Sequence, residues 1–208
     1  MSKQPTPESV HDNVADAFAE SVQRQRPGGG QGGRVVQPGK ERESRLPVDY
    51  FFYFDALEEL VFASGYRDDP CFALLDGRFG LDSDGPFIEL TGFSKLQYTG
   101  DTRGIHHPLR DAMEEKFAEA PEKAASDPYP VAGLFLGEPH SQAVLSKPVA
   151  RAQLSLFNVP YQVVVVCDPV SELIGAYARN DHGRFVNETF RVVYESTLSN
   201  QSQPKDET

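Results

Sequence analysis

Tryptophan is absent from these 208 residues, and cysteine and methionine occur only twice each. Cys71 and Cys167 form neither a C-x-x-C pair nor the framework of a secreted disulfide protein. Cys167 closes the apolar run VVVVC and reads as a buried, reduced thiol. Cys71 as a nucleophile needs a positioned histidine, which the sequence does not identify, so its apolar strand reads as core. No stretch approaches the ~20 consecutive apolar residues of a bilayer-spanning helix. The opening residues MSKQPTPES lack the apolar segment of a secretory signal, so a cytoplasmic location is expected. The sequon Asn187-Glu188-Thr189 is then expected to stay unused. G-x-S-x-G, a P-loop, and a G-x-G-x-x-G following a strand are all missing, which excludes the common hydrolase and nucleotide-binding signatures.

Basic charge is also scarce: 20 Lys and Arg stand against 31 Asp and Glu, a formal net charge of -11. Residues 1–45 carry seven basic and six acidic side chains, and the last ten residues one and two. The acidic excess therefore lies in the middle of the chain, which repels a phosphate backbone and argues against nucleic-acid or anionic-membrane binding. It suits a soluble protein or one with basic partners.

The chain divides into an arm (1–26), a Gly/Pro-rich flexible linker (27–45), a folded domain (46–198) and a polar tail (199–208); order is expected only in the domain. Within the arm, Val10, Val14, Phe18 and Val22 recur every four residues and put one apolar stripe on a helix over 8–25. A short amphipathic helix on a loose tether suits docking into a partner's groove. GGGQGG follows no strand and reads as tether. In the domain, VDYFFYF reads as a strand and ALEELVFAS as a helix, with Asp55 as its cap and Gly65 at its end. CFALLDGRFG and PFIELTGFSKLQY read as strands around the turn DSDG, which is too short of spaced oxygens for a calcium loop. HPLRDAMEEKFAEAPEKAA is a polar helix or helix-bearing loop. PVAGLFLG is a buried strand, KPVARAQLSLF a helix capped by Ser146, and YQVVVVCDP a strand buried on both faces. LIGAYAR and RFVNETFRVVYE pair across NDHG as a hairpin.

The order helix, LLDG, GLFLGEP, helix, VVVVCDP resembles the JAMM/MPN domain family, whose active members are zinc isopeptidases. Their G-W-x-H-S-H-P core falls without a gap on Gly133, Leu134 and Pro139. Ser146 takes the following Ser, Asp168-Pro169 the D-P after the next strand, and Gln153 a helix position often held by Gln. The resemblance implies an α/β fold, a mixed and mainly antiparallel curved sheet flanked by helices, with disordered termini. It also places Leu136 and Glu138 where the family has its two zinc-binding His, Val149 where it has Asp, and Pro70 near its general-base Glu. One carboxylate does not hold zinc, and a catalytic site needs about three protein ligands. The resemblance thus implies a degenerate member, a pseudoenzyme without cofactor or metal. It would act as a scaffold or adaptor by binding protein, including a second MPN-domain subunit in a hetero- or homodimer. The alternative enzyme is a divergent metal-dependent isopeptidase with relocated ligands: Glu138, His140 and one of His106 or His107. Adjacent histidines in a strand face opposite ways, so only one of the two joins that set; exposed loop histidines are the simpler reading. A third reading is a peptide or small-molecule-binding module using the vacated cleft.

Overall fold

The computed structural model describes residues 34–36, 48–65, 68–118, 131–157, 161–180 and 182–194. Nine strands form one sheet: β1 (Arg34–Val36), β2 (Asp49–Tyr53), β3 (Cys71–Asp82), β4 (Gly85–Lys95), β5 (Val131–Gly137), β6 (Val163–Asp168), β7 (Leu173–Arg179), β8 (Phe185–Glu188) and β9 (Phe190–Val193). Their spatial order is β1-β9-β2-β4-β3-β5-β6-β7-β8. Among the described residues three helices accompany them: α1 (Phe54–Gly65), α2 (His106–Ala118) and α3 (Lys147–Leu156). The expected class holds: the fold is α/β, with a mixed, mainly antiparallel, curved sheet flanked by helices. β2 runs parallel to β4 and β9, and β5 parallel to β6; the other ladders are antiparallel.

Curvature follows from one junction. β8 and β9 are separated by Thr189 alone, yet β8 pairs with β7 at one end of the strand order and β9 with β2 near the other. A single residue spans so little distance that the sheet must curl until its ends approach. The expected hairpin is therefore corrected in its second half. LIGAYAR and FVNE pair across a turn closed by Asn180 N–H to Arg184 O at 2.8 Å, but FRVV leaves to join β2. β1 arises within the segment expected to be a linker, where its backbone pairs antiparallel with β9.

Alternation along the central strands loads both faces of the sheet. Phe135, Val163 and Val165 face the core beneath α1, together with Tyr50, Phe52 and Leu75. Leu134, Leu136, Val164 and Val166 face the opposite core, with residues of α2 and α3. This double coverage makes every residue of β5 and β6 buried and explains their unbroken apolar sequences. α1 turns Ala56, Leu57, Leu60 and Ser64 inward, the spacing of one helical face. Asp55 lies in the first turn rather than capping it, because the helix starts one residue earlier, at Phe54. At the DSDG turn Gly85 takes φ +114°, a conformation that glycine adopts without steric cost, and Asp82 Oδ1 accepts Asp84 N–H.

Candidate functional site

The parallel β5–β6 pair is joined through α3, and both strands end at the same edge of the sheet. The carboxyl ends of such pairs are where α/β proteins gather functional loops. β5 passes here into residues 138–146, the segment singled out in the sequence. Glu138 N–H bonds Cys167 O at 2.9 Å and prolongs the ladder by one step. The chain then takes positive φ at His140 (62°), Gln142 (54°) and Ala143 (53°), without a glycine among them. Such backbone costs about 1–3 kcal/mol per residue and persists only where its surroundings enforce it.

Asp168 does the enforcing. Buried at the end of β6, its carboxylate accepts the backbone N–H of His140 (3.1 Å) and Gln142 (2.8 Å) from the loop. It also accepts those of Val170 (3.0 Å) and Ser171 (3.4 Å) from the next turn. Burial alone raises the carboxyl pKa; the Ser171 side chain and the amides of Gln142, Val170 and Ser171 outweigh it and hold the group well below the usual carboxylate range. Tyr177 on β7 adds a third tie, its hydroxyl donating to Ala143 O at 2.7 Å. The loop is thus a rigid shelf. On it and the adjoining turn stand three apolar side chains exposed to solvent: Val144 (57%), Val170 (58%) and Leu173 (48%).

The positions that the sequence aligned with metal ligands lie apart from one another in character. Leu136 and Val149 are fully buried and belong to one apolar cluster with Phe72, Val164 and Val166. In the ladders Leu136 is flanked by Phe72 on one side and Val166 on the other. Glu138 lies just beyond, half-buried, and burial raises its carboxyl pKa. Pro70, half-buried, precedes β3. The cleft expected to be vacated at Leu136 and Val149 is therefore filled by packed side chains. His106 and His107 open α2, their rings in edge contact at 5.5 Å, so the strand geometry expected for them is corrected to a helical first turn. Glu138 and His140 sit on the shelf instead, and among the described residues no three of His, Cys, Asp and Glu gather as metal ligands.

Ser146 occupies the cap position of α3 but makes no side-chain capping bond, a correction to its expected role; its Oγ is buried without a hydrogen-bond partner. Gln153 is buried, and its amide donates to Gln162 O at 3.4 Å. Cys71, Gly137 and Cys167 stand side by side on β3, β5 and β6. A Cβ at Gly137 would lie 2.3 Å from Ser64 Cβ and 2.7 Å from Cys71 Sγ, so the missing side chain lets α1 seat on the sheet. Burial pushes the Cys167 thiol up to about 11, far from a reactive thiolate. Val10, Val14, Phe18 and Val22 lie outside the described residues.

Two cavities were not legible in the sequence. One of about 590 Å³ opens between α1 and the segment following β4, with Leu60, Ala63, Cys71, Phe72, Leu96 and Tyr98 among its walls. Its rim holds the Glu59–Lys95 ion pair (3.8 Å) and the exposed Phe62. The other, about 400 Å³, lies between the start of α2 and α3 and is lined by Arg103, His106 and Arg151 among others. Sequence periodicity marks which residues are buried but not where two elements diverge, so neither cavity left a signal.

No helix among the described residues is long and apolar enough to cross a membrane. No protein-family model matches the chain, and no curated protein matches it. Solved structures do match, among them the solution structure of protein DSY2949 from Desulfitobacterium hafniense. That structure is 16% identical, with a TM-score of 0.46, over 73% of this chain and 97% of its own.

Proposed function

We propose that this chain is a non-catalytic member of the JAMM/MPN class, a pseudoenzyme that serves as a scaffold or adaptor subunit in a protein complex in the cytoplasm. In this reading it pairs with another MPN-domain subunit or a second copy of itself. One observation carries the reading: Leu136 and Val149, at the positions of metal ligands in the resembled family, are fully buried within a single apolar cluster. An ion placed there would meet hydrocarbon where it needs donors, and Glu138 alone does not replace them. The rigid shelf supports the binding role, because Val144, Val170 and Leu173 present apolar surface from a backbone already ordered before any partner arrives. Elemental analysis of protein purified without a histidine tag tests the reading. Less than a tenth of an equivalent of zinc or other transition metal is expected; stoichiometric metal would sink the claim.

A second reading, a peptide or small-molecule-binding module, is favoured by the cavity beside α1, whose volume of about 590 Å³ is within the usual range for ligand sites. It is compatible with the first, since a scaffold also recognises peptides.

A further inference from the structure

The cavity between α2 and α3 exists because the side chains that meet there are short. Pro148, Arg151, Ala152 and Ser155 recur along α3 at the spacing of one helical face, and that face looks onto Ile105 and His106, where α2 begins. Ile105 and Ala152 are buried and form the inner wall. The Ser155 hydroxyl turns back to donate to Ala152 O at 3.0 Å, so it adds room rather than a donor. What remains is a space of about 400 Å³, at the smaller end of ligand sites.

Its ionisable walls are all basic. Arg103, His106 and Arg151 line it, and no Asp or Glu does, in a chain whose formal net charge is -11. Arg151 is exposed and has no ion-pair partner among the described residues. Arg103 has one, and the pairing orients it. Asp101 Oδ1 accepts the Arg103 backbone N–H at 2.9 Å, while Oδ2 accepts Nε–H at 2.8 Å and meets Nη2. The Tyr98 hydroxyl donates to Asp101 O at 2.9 Å and ties down the same turn. Asp101 thus holds one edge of the Arg103 guanidinium and leaves the Nη1/Nη2 edge to a ligand. It offsets one positive charge and leaves the other, so the cavity attracts anions within an acidic molecule.

Two guanidinium forks on separate elements narrow the class of anion. A carboxylate has two oxygens and is satisfied by one fork. A phosphate monoester presents three and engages both, with the His106 ring as a further donor. Ile105, Pro148 and Ala152 offer hydrocarbon to the organic half of such an ester. We infer that the cavity between α2 and α3 is a binding site for a small phosphate monoester, its phosphoryl group held by Arg103 and Arg151. The inference is independent of the pseudoenzyme reading, since it uses no residue of the aligned metal positions or of the shelf.

Phenyl phosphate is a suitable probe, titrated into the full-length protein at constant ionic strength and followed by phosphorus NMR line broadening. Arg103→Gln and Arg151→Gln should each weaken binding roughly tenfold, the worth of one charge-assisted contact. Both side chains are exposed, so both variants should melt with the parent. Arg110→Gln, whose guanidinium pairs with Asp111 and Glu114 outside the cavity, should leave the affinity unchanged. Inorganic phosphate should bind more weakly than the ester, and benzoate should not compete. No broadening at millimolar probe, or equal affinity in the parent and the double arginine variant, would overturn the inference. So would a loss in Arg110→Gln as large as that in Arg151→Gln, which would mean diffuse charge attraction without a site. Competition by benzoate would overturn the choice of phosphate, and inorganic phosphate binding as tightly as the probe would overturn the ester. Sensitivity to Lys95→Gln alone would move the probe to the cavity beside α1.

Discussion

The Asp168 carboxylate receives the backbone N–H of Gln142 at 2.8 Å, across 26 positions of sequence. That bond joins the end of β6 to a loop whose backbone departs from its preferred conformations. A charged acceptor that satisfies several buried amides at once is stronger than neutral pairs, so Asp168 stabilises the shelf while it is ionised. Its folded pKa is depressed, so the contribution is complete above the unfolded value and is lost as pH falls toward the folded one. Asp168→Asn should lower the melting temperature by several degrees at neutral pH. The gap between parent and variant should hold down to about pH 4, the unperturbed carboxylate range, and shrink below it. Thermal melts at a series of pH values check this; a gap that widens in acid would contradict it.

Tyr177 tests the same shelf from its other side. Tyr177→Phe removes the hydroxyl that donates to Ala143 O at 2.7 Å and keeps the ring. Loss of one such bond costs about 1 kcal/mol. Amide exchange should accelerate around residues 140–144 and remain unchanged in β3. Uniform acceleration across the sheet would mean that Tyr177 supports global stability rather than the loop.

Much of this architecture was legible because burial is written in periodicity. VVVVC and VAGLFLG lack alternation, and a strand without alternation is buried on both faces. α1 showed its inward face through Leu57, Leu60 and Ser64. The break at Thr189 left no mark, because RFVNETFRVVYE carries no Gly or Pro to signal that a strand changes partners. The positive φ values at His140, Gln142 and Ala143 were equally hidden, since long-range bonds to Asp168 impose them on residues that do not prefer them. Ser146 failed as a cap for the reverse reason: residue type suited the position, but its hydroxyl lies buried without a partner. At the positions that the resemblance aligns with metal ligands, the structure shows only core: Leu136 lies between Phe72 and Val166.

Gly133 on β5 pairs with Val163 on β6 and leaves no room for a side chain. A Cβ there would lie 2.0 Å from Val163 O, and a backbone carbonyl in a ladder cannot rotate aside as a side-chain tip can. Gly133→Ala should therefore cost about 3 kcal/mol, the upper end of overpacking penalties. Denaturant titration checks the value. A loss under about 0.5 kcal/mol, the level of a neutral surface change, would mean that the two strands separate freely.

Val144 and Val170 are exposed; Val170 N–H bonds Asp168, and Val144 follows the loop that Asp168 holds at Gln142. Replacing both by Asp should change stability by no more than about 1 kcal/mol, as expected for two surface sites. On the proposed scaffold reading, the double variant should weaken assembly with a partner protein at least tenfold while leaving the labelling rate of Cys71 unchanged. Retained assembly would remove the shelf as the contact surface. Altered Cys71 labelling would show that the shelf is coupled to the cavity beside α1.

The resemblance to a zinc-hydrolase frame makes a prediction about residues that are not there. If Leu136, Glu138 and Val149 stand in register with ligand positions, the triple change Leu136→His, Glu138→His, Val149→Asp should rebuild a zinc site. Without metal the variant should be strongly destabilised, because Val149→Asp and Leu136→His bury ionisable groups in an apolar cluster. Zinc at 100-fold over its dissociation constant should then return about 2.7 kcal/mol, because only the folded state supplies the ligands. The parent, with Leu and Val at those positions, should show no zinc-dependent shift in melting temperature. Melts with zinc and with a chelator read both proteins side by side. A triple variant that folds yet ignores zinc would show that the aligned positions do not converge, leaving the fold without the family frame.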